Sequence, residues 1–317
     1  MSMESRTIDP RGGSAVPSDA EVVVVGAGLA GLSCAQQLKA EGLHVHVLDA
    51  SDAVGGRIRT DEKDGFLLDR GFQVILTAYE ELKAQVDVSS LDPRPFKAGS
   101  VVWNGEALQT MSDPFRNPGD ALASIRAKVG SFQDKLKVAV LRQRLMKAPP
   151  AACFEGEDRT TQEELESQGF SPEFIDSFFR PFLGGVFLER ELDTSAHLFN
   201  YYFRCFGAGQ TVVPAGGMQR LPEALARPLE GQISLGAVVA TVTPRSLTLK
   251  DGTQVTAGRV VVAVDGHTAV RLVGRSRSVA ASGGEATDLE LAIEAGSTLI
   301  RVGTDLFGPR PREGTWP

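Results

Sequence analysis

The sequence has few of the residues that build disulfide bridges or metal centres. Its 317 residues include three cysteines and four histidines, and neither set has the spacing of a metal-binding motif. We therefore expect reduced thiols with structural roles, no metal site, and a cytoplasmic or organellar reducing compartment rather than secretion.

The sequence also lacks an excess of basic charge and a long apolar run. The net charge of −7 argues against nucleic acid as a partner. No apolar stretch approaches the roughly 18 residues that a membrane-spanning helix needs, so we expect no transmembrane segment. Residues 1–20 mix charged residues with glycine, serine and proline, which is typical of a disordered leader.

A glycine-rich turn follows the first apolar segment. Val22 to Val25 are a wholly apolar, β-branched run, which predicts a parallel strand covered on both faces. Gly26, Gly28 and Gly31 follow at the spacing G-x-G-x-x-G. In a dinucleotide-binding turn the first glycine permits the tight turn, the second lets a pyrophosphate approach the backbone, and the third lets a helix pack against the strand.

The segments after the glycines fit the same kind of site. Residues 29–41 have helical periodicity, which places Leu29 and Ala30 at a helix N-terminus that favours phosphate. A second strand over residues 44–48 ends at Asp49, where a carboxylate can bind the ribose hydroxyls. This order of strand, glycine turn, helix and second strand predicts a dinucleotide site. The alternative is a glycine turn in another β-α-β unit, with Asp49 as a solvated strand end.

Two histidines alternate with valines on the second predicted strand. His44 and His46 flank Val45, and Val47 follows them. Because side chains alternate between the faces of a strand, we expect the two imidazoles on an exposed or edge face.

The next segment resembles the flavin-containing amine oxidase and phytoene desaturase superfamily. Residues 55–60 read Gly-Gly-Arg-Ile-Arg-Thr, and the resemblance implies that Gly56 and Arg57 contact FAD. Arg59 could instead be a solvated neighbour of this contact. The resemblance continues through residues 65–74.

Further positions of the superfamily's site follow from this resemblance. It implies that Gly71, Phe72 and Gln73 lie near the flavin ring. A Pro-x-Gly-Gly-Met match in residues 214–218 marks the return from the substrate lobe, where Gly217 would permit a close approach to the ring or the substrate. Val239 matches a valine that offers its backbone to adenine.

The resemblance implies an α/β architecture. A Rossmann-like FAD-binding domain would carry an inserted, largely helical substrate lobe. The expected divisions are a leader (residues 1–20), the first part of the FAD domain (21–78), the lobe (79–210), the return to the FAD domain (211–272) and a tail (273–317).

One long helical pattern dominates the expected lobe. It spans residues 119–146, with an interruption possible at Gly130. Seven apolar residues recur on one drifting stripe: Leu122, Ile125, Val129, Phe132, Leu136, Val140 and Leu145. Such a stripe predicts core packing; in a family member it could instead line a cavity for an apolar substrate.

The flavin resemblance stops near residue 273. The superfamily's closing Gly-Asp strand and helix are not found there, so we expect a truncated flavoprotein. Residues 282–310 resemble the C-terminal end of the pyridoxal-phosphate homeostasis protein family. That family's barrel and pyridoxal-binding lysine are absent, which favours a fusion of gene fragments or a faulty gene model over pyridoxal-phosphate binding.

The sequence leads to one functional hypothesis and one alternative. The first is an FAD-dependent oxidoreductase that takes a hydride from a C–N or C–C bond of a small substrate, expected to be apolar, onto flavin N5. No side chain qualifies as a general base, so the catalytic residues, like the oligomeric state, are unassigned. The alternative is a non-catalytic, truncated or chimeric dinucleotide-binding protein.

Overall fold

The computed structural model describes residues 20–71, 73–114 and 116–273. Within these residues the chain divides into a first unit, which runs to Arg70 and resumes at Gly217, and a second unit, Gly71–Gly216. The sequence places the corresponding divisions at residues 78/79 and 210/211. Residues 1–19 of the predicted leader and residues 274–317 of the predicted tail lie outside the described residues.

The first unit begins with the predicted strand, helix and strand, and a hairpin follows. These elements are β1 (Val22–Val25), α1 (Leu29–Ala40), β2 (Val45–Leu48), β3 (Thr60–Lys63) and β4 (Phe66–Asp69). All four valines of β1 are buried, and the strand pairs in parallel with neighbours on both sides, which confirms the prediction. Helix α1 ends before Gly42, whose φ of +85° suits glycine at a helix C-terminus.

The second unit combines short strands with seven α-helices in its described residues. The strands and helices are β5 (Ile75–Leu76), α2 (Glu80–Gln85), β6 (Pro93–Pro95), β7 (Gly99–Trp103), β8 (Leu108–Ser112), α3 (Ala121–Arg126), α4 (Phe132–Lys147), α5 (Thr161–Ser167), α6 (Pro172–Phe174), α7 (Arg180–Phe187), α8 (Ala196–Ala208) and β9 (Thr211–Pro214). Strands β5, β9 and β6 form one antiparallel sheet, and β7 pairs with β8 in a hairpin. A π-helical turn, Ile175–Phe179, joins α6 to α7.

The core of the second unit is aromatic. Its largest fully buried side chains include Phe174, Phe179, Phe187 and Phe199. The ring of Phe174 meets the ring of Phe179 edge to face, with centroids 5.4 Å apart. Helix α4 packs against α8 beside this core.

The long predicted helix is interrupted where the sequence allowed it. Helix α3 ends at Arg126 and α4 begins at Phe132, with Gly130 at a φ of +63° between them. A Cβ atom on Gly130 would overlap the ring of Phe174, so both backbone and packing require glycine there.

The prediction that the apolar stripe faces the core is wrong for five of its seven residues. Val129 and Leu145 are buried, but five residues are exposed: Leu122, Ile125, Phe132, Leu136 and Val140. Leu141 and Leu145 lie on the opposite side of α4, and that side packs against the core. The helix has apolar residues on both sides, and periodicity alone does not say which side is covered.

The chain returns to the first unit at Gly217. The remaining elements are α9 (Arg220–Ala226), β10 (Ile233–Ser234), β11 (Val239–Thr243), β12 (Ser246–Leu249), β13 (Gln254–Thr256), β14 (Arg259–Val262) and α10 (Gly266–Leu272). A parallel sheet has the strand order β10, β2, β1, β14, and an antiparallel sheet has the order β11, β12, β13.

The expectation of an exposed histidine face is wrong for His46. Strand β2 lies between β1 and β10, and His46 is buried. Its Nε2 atom lies 2.8 Å from the hydroxyl of Ser234 on β10, so this hydrogen bond satisfies the imidazole inside the unit. Burial lowers the pKa of His46, which keeps the ring neutral.

The cysteines are free thiols, as predicted. Cys153 and Cys205 are buried, and Cys34 is half-buried on α1. Burial raises the pKa of all three thiols, which makes them poor nucleophiles. Separately, none of the helices in the described ranges is long and apolar enough to cross a membrane.

Candidate dinucleotide site

Two glycines of the turn after β1 are required by the fold itself. Gly26 has a φ of +112°, and a Cβ atom built on it would lie 2.5 Å from the carbonyl oxygen of Ala263. A Cβ atom on Gly31 would overlap the carbonyl oxygen of Gly26. The Gly26 contact arises because the chain after β14 lies beside the turn, and the Gly31 contact arises because α1 begins directly against the turn, as the predicted role of the third glycine demands.

Gly28 differs from its two neighbours. Its φ of −75° and ψ of 179° are open to any residue. A Cβ atom built on Gly28 meets nothing within 4 Å in the described chain. The packing of the described residues therefore does not account for glycine at this position, whereas the close approach of a pyrophosphate does.

The N-terminus of α1 provides the donors that such a group needs. The helix begins at Leu29, and the first N–H that donates inside it is that of Leu32, to Gly28. The N–H groups of Leu29, Ala30 and Gly31 precede it in the first turn and need acceptors from outside the helix. That turn contains no acidic residue, so it favours an anion electrostatically.

Asp49 lies at the end of β2, beside the glycine turn. Its Oδ2 accepts a hydrogen bond from Ala27 N at 2.6 Å, and its Oδ1 accepts one from Ser51 N at 2.8 Å. A carboxylate has about four acceptor positions, so two ribose hydroxyls can still donate to it. The residues present therefore fit an adenine dinucleotide.

The Gly-Gly-Arg segment contacts the same turn. Gly55 N donates to the carbonyl of Ala27 at 2.8 Å, and Gly55 pairs with Gly28 in a parallel bridge. A Cβ atom on Gly56 would lie 3.3 Å from the Cα atom of Gly28. Arg57 is exposed directly beside this contact. The structure thus brings together the two glycine motifs that the sequence placed in one site.

Arg59 closes the loop that carries these glycines. Its Nη1 atom lies 2.8 Å from Asp52 Oδ1, and its side chain is only 13% exposed. The solvated alternative for Arg59 is therefore wrong. The hydrogen bond from Arg59 also lowers the pKa of Asp52. An ion pair across the loop was not deduced from the sequence, because opposite charges seven residues apart are common in solvated loops.

A second hydrogen-bond network holds the neighbouring hairpin. Thr60 Oγ1 donates to Asp69 Oδ1 at 2.5 Å and accepts from Gln219 N at 2.9 Å. The amide of Gln219 reaches the carbonyl of Val54 at 2.9 Å. A Cβ atom on Gly217 would overlap Thr60, so packing within the first unit already accounts for this glycine. The sequence analysis missed these roles of Thr60, Asp69 and Gln219.

Val239 begins β11 beside the end of β2. Ala237 N donates to the carbonyl of Asp49 at 2.8 Å, and Gly236 N donates to the carbonyl of Ser51 at 2.9 Å. The backbone leading into Val239 thus runs along the strand end that holds the candidate ribose ligand. Contact between Val239 and adenine stays a prediction.

Of the three residues expected near the flavin ring, Gly71 and Gln73 fall outside the first unit. Gly71 has a φ of +99°, which suits the predicted glycine turn. Gln73 is half-buried in the second unit, and Phe72 lies outside the described residues. Their contact with a flavin stays a prediction. In the parts of the chain that the structure describes, no group of three or more His, Cys, Asp or Glu residues is arranged to hold a metal ion.

Comparison with known proteins gives one family match. The family model described as flavin containing amine oxidoreductase matches residues 29–284. The chain is 29% identical to protoporphyrinogen oxidase 2, chloroplastic/mitochondrial, of Arabidopsis thaliana, over 53% of this chain and 33% of that protein. It is 46% identical to putrescine oxidase of Kocuria rosea, over 29% of this chain and 19% of that protein. The chain thus spans a third or less of these curated relatives.

A solved structure shares the fold. An oxidoreductase from Methanosarcina mazei superposes with a TM-score of 0.58 at 21% identity, covering 80% of this chain and 61% of that one. At this identity the likeness establishes the mixed helix-and-strand fold.

Proposed function

The chain belongs to the flavin-containing amine oxidoreductase family, and we propose that it is an FAD-dependent oxidoreductase whose dinucleotide binds at the glycine turn of the first unit. FAD is the cofactor that family membership implies. The observation that carries the proposal is the contrast between Gly28 and Gly31. Only Gly31 is required by packing, so a ligand that approaches the backbone is the physical reason for glycine at position 28.

Different residues of the first unit bind different parts of the dinucleotide. Gly28 and the N-terminus of α1 bind the pyrophosphate, with Leu29 and Ala30 donating through their backbone. Asp49 accepts from the ribose hydroxyls, and this geometry repels a 2′-phosphate. Gly56 permits close approach beside Gly28.

Three further assignments rest on the resemblance and on position. Arg57 pairs with phosphate oxygens through its fork of donors. Val239 offers backbone atoms to adenine. Gly71, Phe72 and Gln73 border the flavin ring.

The reaction we propose is hydride removal from a C–N or C–C bond of a small substrate; the expectation of an apolar substrate loses its support, because most of the stripe that would line an apolar cavity is exposed. When bound, FAD supplies the hydride acceptor at flavin N5. The protein's part is to orient the substrate and to exclude water, because no side chain in the sequence qualifies as a general base. The name of the Kocuria rosea relative specifies oxidation of putrescine, and that of the Arabidopsis relative specifies protoporphyrinogen. The proposal therefore includes both C–N and C–C bonds as the site of oxidation.

The test of cofactor binding is Gly28→Ala against Gly185→Ala. Both glycines have open space where a Cβ atom would stand, and only Gly28 lies at the proposed phosphate site. We expect purified wild-type protein and Gly185→Ala to show a flavin absorbance spectrum. We expect Gly28→Ala to lose the flavin and to melt at the temperature of wild-type protein stripped of its flavin, because the bound cofactor itself stabilises the folded state. Retention of flavin by folded Gly28→Ala at the wild-type stoichiometry would contradict the proposed site.

The alternative is a dinucleotide-binding protein without catalysis. In this alternative the residues of the first unit bind the dinucleotide, and no reaction follows. Anaerobic mixing of flavin-loaded protein with diamines or with a porphyrinogen separates the two functions. Bleaching of the flavin absorbance supports the enzyme, and tight binding without bleaching supports the alternative.

A fusion origin for residues 273–317 also remains a proposal. The resemblance to the pyridoxal-phosphate homeostasis family, read from the sequence, falls on residues 282–310, which lie outside the described residues. Long-read sequencing of the transcript across codons 260–317 tests it. A transcript with the junction as written supports a fusion, and one that continues in the flavin-type frame contradicts it.

A further inference from the structure

An exposed apolar stripe follows helix α4 on the side away from the core. Phe132, Leu136 and Val140 are four residues apart, so they lie along one face. The core side of the same helix carries Leu141 and Leu145. The helix is therefore apolar on two opposite sides, and packing within the described residues of the second unit covers one of them.

Helix α3 and the tip of the β7–β8 hairpin lie beside the start of α4, and both carry exposed apolar side chains. Lys135 Nζ donates to the carbonyl of Ile125 at 3.0 Å, which joins the start of α4 to the end of α3. Asn104 Nδ2 donates to the carbonyl of Lys128 at 3.4 Å, and Lys128 N donates to Gln109 Oε1 at 3.0 Å. The hairpin tip thus adjoins the connection between the two helices.

We name seven exposed large apolar side chains of these joined elements, with the basic residues around them, the basic apolar surface. Its apolar members are each between 53% and 69% exposed: Trp103, Leu108, Leu122, Ile125, Phe132, Leu136 and Val140. Trp103 and Leu108 are cross-strand partners at the hairpin tip. Exposure of this many large apolar side chains on elements that contact one another favours an interaction surface over ordinary scatter.

The charge around this surface is strongly positive. Residues 116–147 contain eight lysines and arginines and two aspartates, in a chain of net charge −7. Asp120 is paired with Lys97 at 2.5 Å. Asp134 is buried, and it is the one carboxylate of α4, which the structure describes completely. The exposed side of α4 therefore carries no negative charge.

Part of this positive charge is compensated within the second unit. Arg142 lies 3.7 Å from Asp113, and Arg144 lies 3.1 Å from Glu164. Five other basic residues form no ion pair in the described part of the chain: Arg126, Lys128, Lys135, Lys137 and Lys147. One carboxylate, Glu106, lies in the hairpin turn.

We propose that the basic apolar surface binds the headgroup region of an anionic lipid bilayer. A helix that lies in a membrane interface combines a stripe of bulky apolar residues with flanking lysines and arginines, whose stems extend to let the charge reach the headgroups. An exposed tryptophan beside it is typical of the same interface. The charge complementarity rests on the exposed Arg126, Lys128 and Lys147, because the ammonium groups of Lys135 and Lys137 donate to backbone carbonyl oxygens.

The alternative occupants fit less well. A second copy bound through the same face would bring like positive charges together, which is unfavourable. The core of a protein interface is depleted of lysine, whereas lysines alternate with the apolar residues here. The proposal does not depend on FAD binding, because every residue of this surface belongs to the second unit.

The test is co-sedimentation of the full chain with phosphatidylcholine vesicles, with and without phosphatidylglycerol. We expect binding to the anionic vesicles, weakened at high salt because screening shortens the reach of the charges. Phe132→Gln should weaken partitioning by at least about tenfold, and Lys147→Gln by about fivefold. The matched controls Phe66→Gln and Lys250→Gln change equally exposed residues of the first unit and should bind as wild type.

Tryptophan fluorescence supplies a second readout. The sequence has two tryptophans, so Trp316→Phe leaves Trp103 as the single tryptophan, which excitation at about 295 nm selects over tyrosine. We expect its emission to shift to the blue on addition of anionic vesicles. Equal binding to both vesicle types, or Phe132→Gln binding like wild type, would overturn the proposal. So would dimerisation without vesicles that Phe132→Gln abolishes, since a second copy would then be the occupant.

Discussion

Replacing Asp134 by asparagine is expected to lower the free energy of unfolding by about 2–3 kcal/mol at neutral pH. The carboxylate is buried, and four donors converge on it. Oδ2 accepts from Ser131 N at 3.0 Å, from Ser131 Oγ at 2.6 Å and from Ser171 Oγ at 2.9 Å, and Oδ1 accepts from Ser171 N at 2.9 Å. An amide has one acceptor oxygen, so its NH2 group would face at least one of these donors.

The loss should also depend on pH in a defined direction. Burial by itself would raise the pKa of Asp134, but the hydrogen bonds from Ser131 and Ser171 outweigh it and lower the pKa to about 2. An aspartate in the unfolded chain has a pKa of about 3.9. Ionisation therefore contributes about 2 kcal/mol above roughly pH 5, and this contribution is lost as the pH falls through 4 toward 2.

The control for Asp134→Asn is a second carboxylate that caps the start of a helix. Glu163 occupies the third helical position of α5 and accepts from Thr160 N at 2.9 Å, as Asp134 does at the start of α4, but its side chain is exposed. Glu163→Gln should cost less than about 1 kcal/mol, because water replaces the lost acceptor.

Urea unfolding followed by circular dichroism at pH 7 and pH 3 measures both effects. The deficit of Asp134→Asn relative to wild type should shrink by about 1 kcal/mol at the lower pH. A deficit no larger than that of Glu163→Gln, or one that is unchanged at pH 3, would refute the reasoning.

Two further substitutions test the first unit by thermal melting. Gly31→Ala should destabilise the protein by about 3 kcal/mol or more, because its Cβ atom would overlap the carbonyl of Gly26; an unchanged melting temperature would contradict the packing. Ser234→Ala should cost about 1–3 kcal/mol, since it leaves the buried His46 imidazole without its partner. Adding His46→Val should recover part of that loss, and no recovery would argue against the hydrogen bond as the cause.

The nucleotide-binding half of the first unit was predictable because its signals are local. A run of four valines, a glycine pattern and a helical period each constrain the backbone within a few residues. Strand β1 and helix α1 accordingly agree with the prediction to within a residue. The carboxylate at the end of β2 lies beside the turn because neighbouring parallel strands end at the same edge of the sheet.

The orientation of α4 was not predictable for a physical reason. Its exposed stripe begins at Phe132 and its buried side includes Leu141, and both sides are apolar with the same spacing. The choice between them is made by tertiary contacts. One of these contacts joins Asp134 to Ser171, thirty-seven positions later in the chain, and no local pattern encodes it.

The supporting residues of the candidate site were missed for a related reason. Arg59, Thr60 and Gln219 act on the glycine loops through side-chain hydrogen bonds whose partners are set by the fold. Sequence patterns reveal positions where the fold or a ligand leaves no room for a side chain, because glycine at a fixed spacing is easily recognised. They do not reveal which of many polar side chains finds a partner.

The three glycines of the turn show what the structure adds to a motif. The sequence assigns all three to one dinucleotide site, but a substitution at Gly26 or Gly31 disturbs the chain's own packing. Loss of flavin in those variants would therefore not separate misfolding from a blocked site. Gly28 has an unstrained backbone and no packing contact at its Cβ position in the described chain. A folded Gly28→Ala protein without flavin would thus locate the pyrophosphate, since the added methyl group has nothing else to displace.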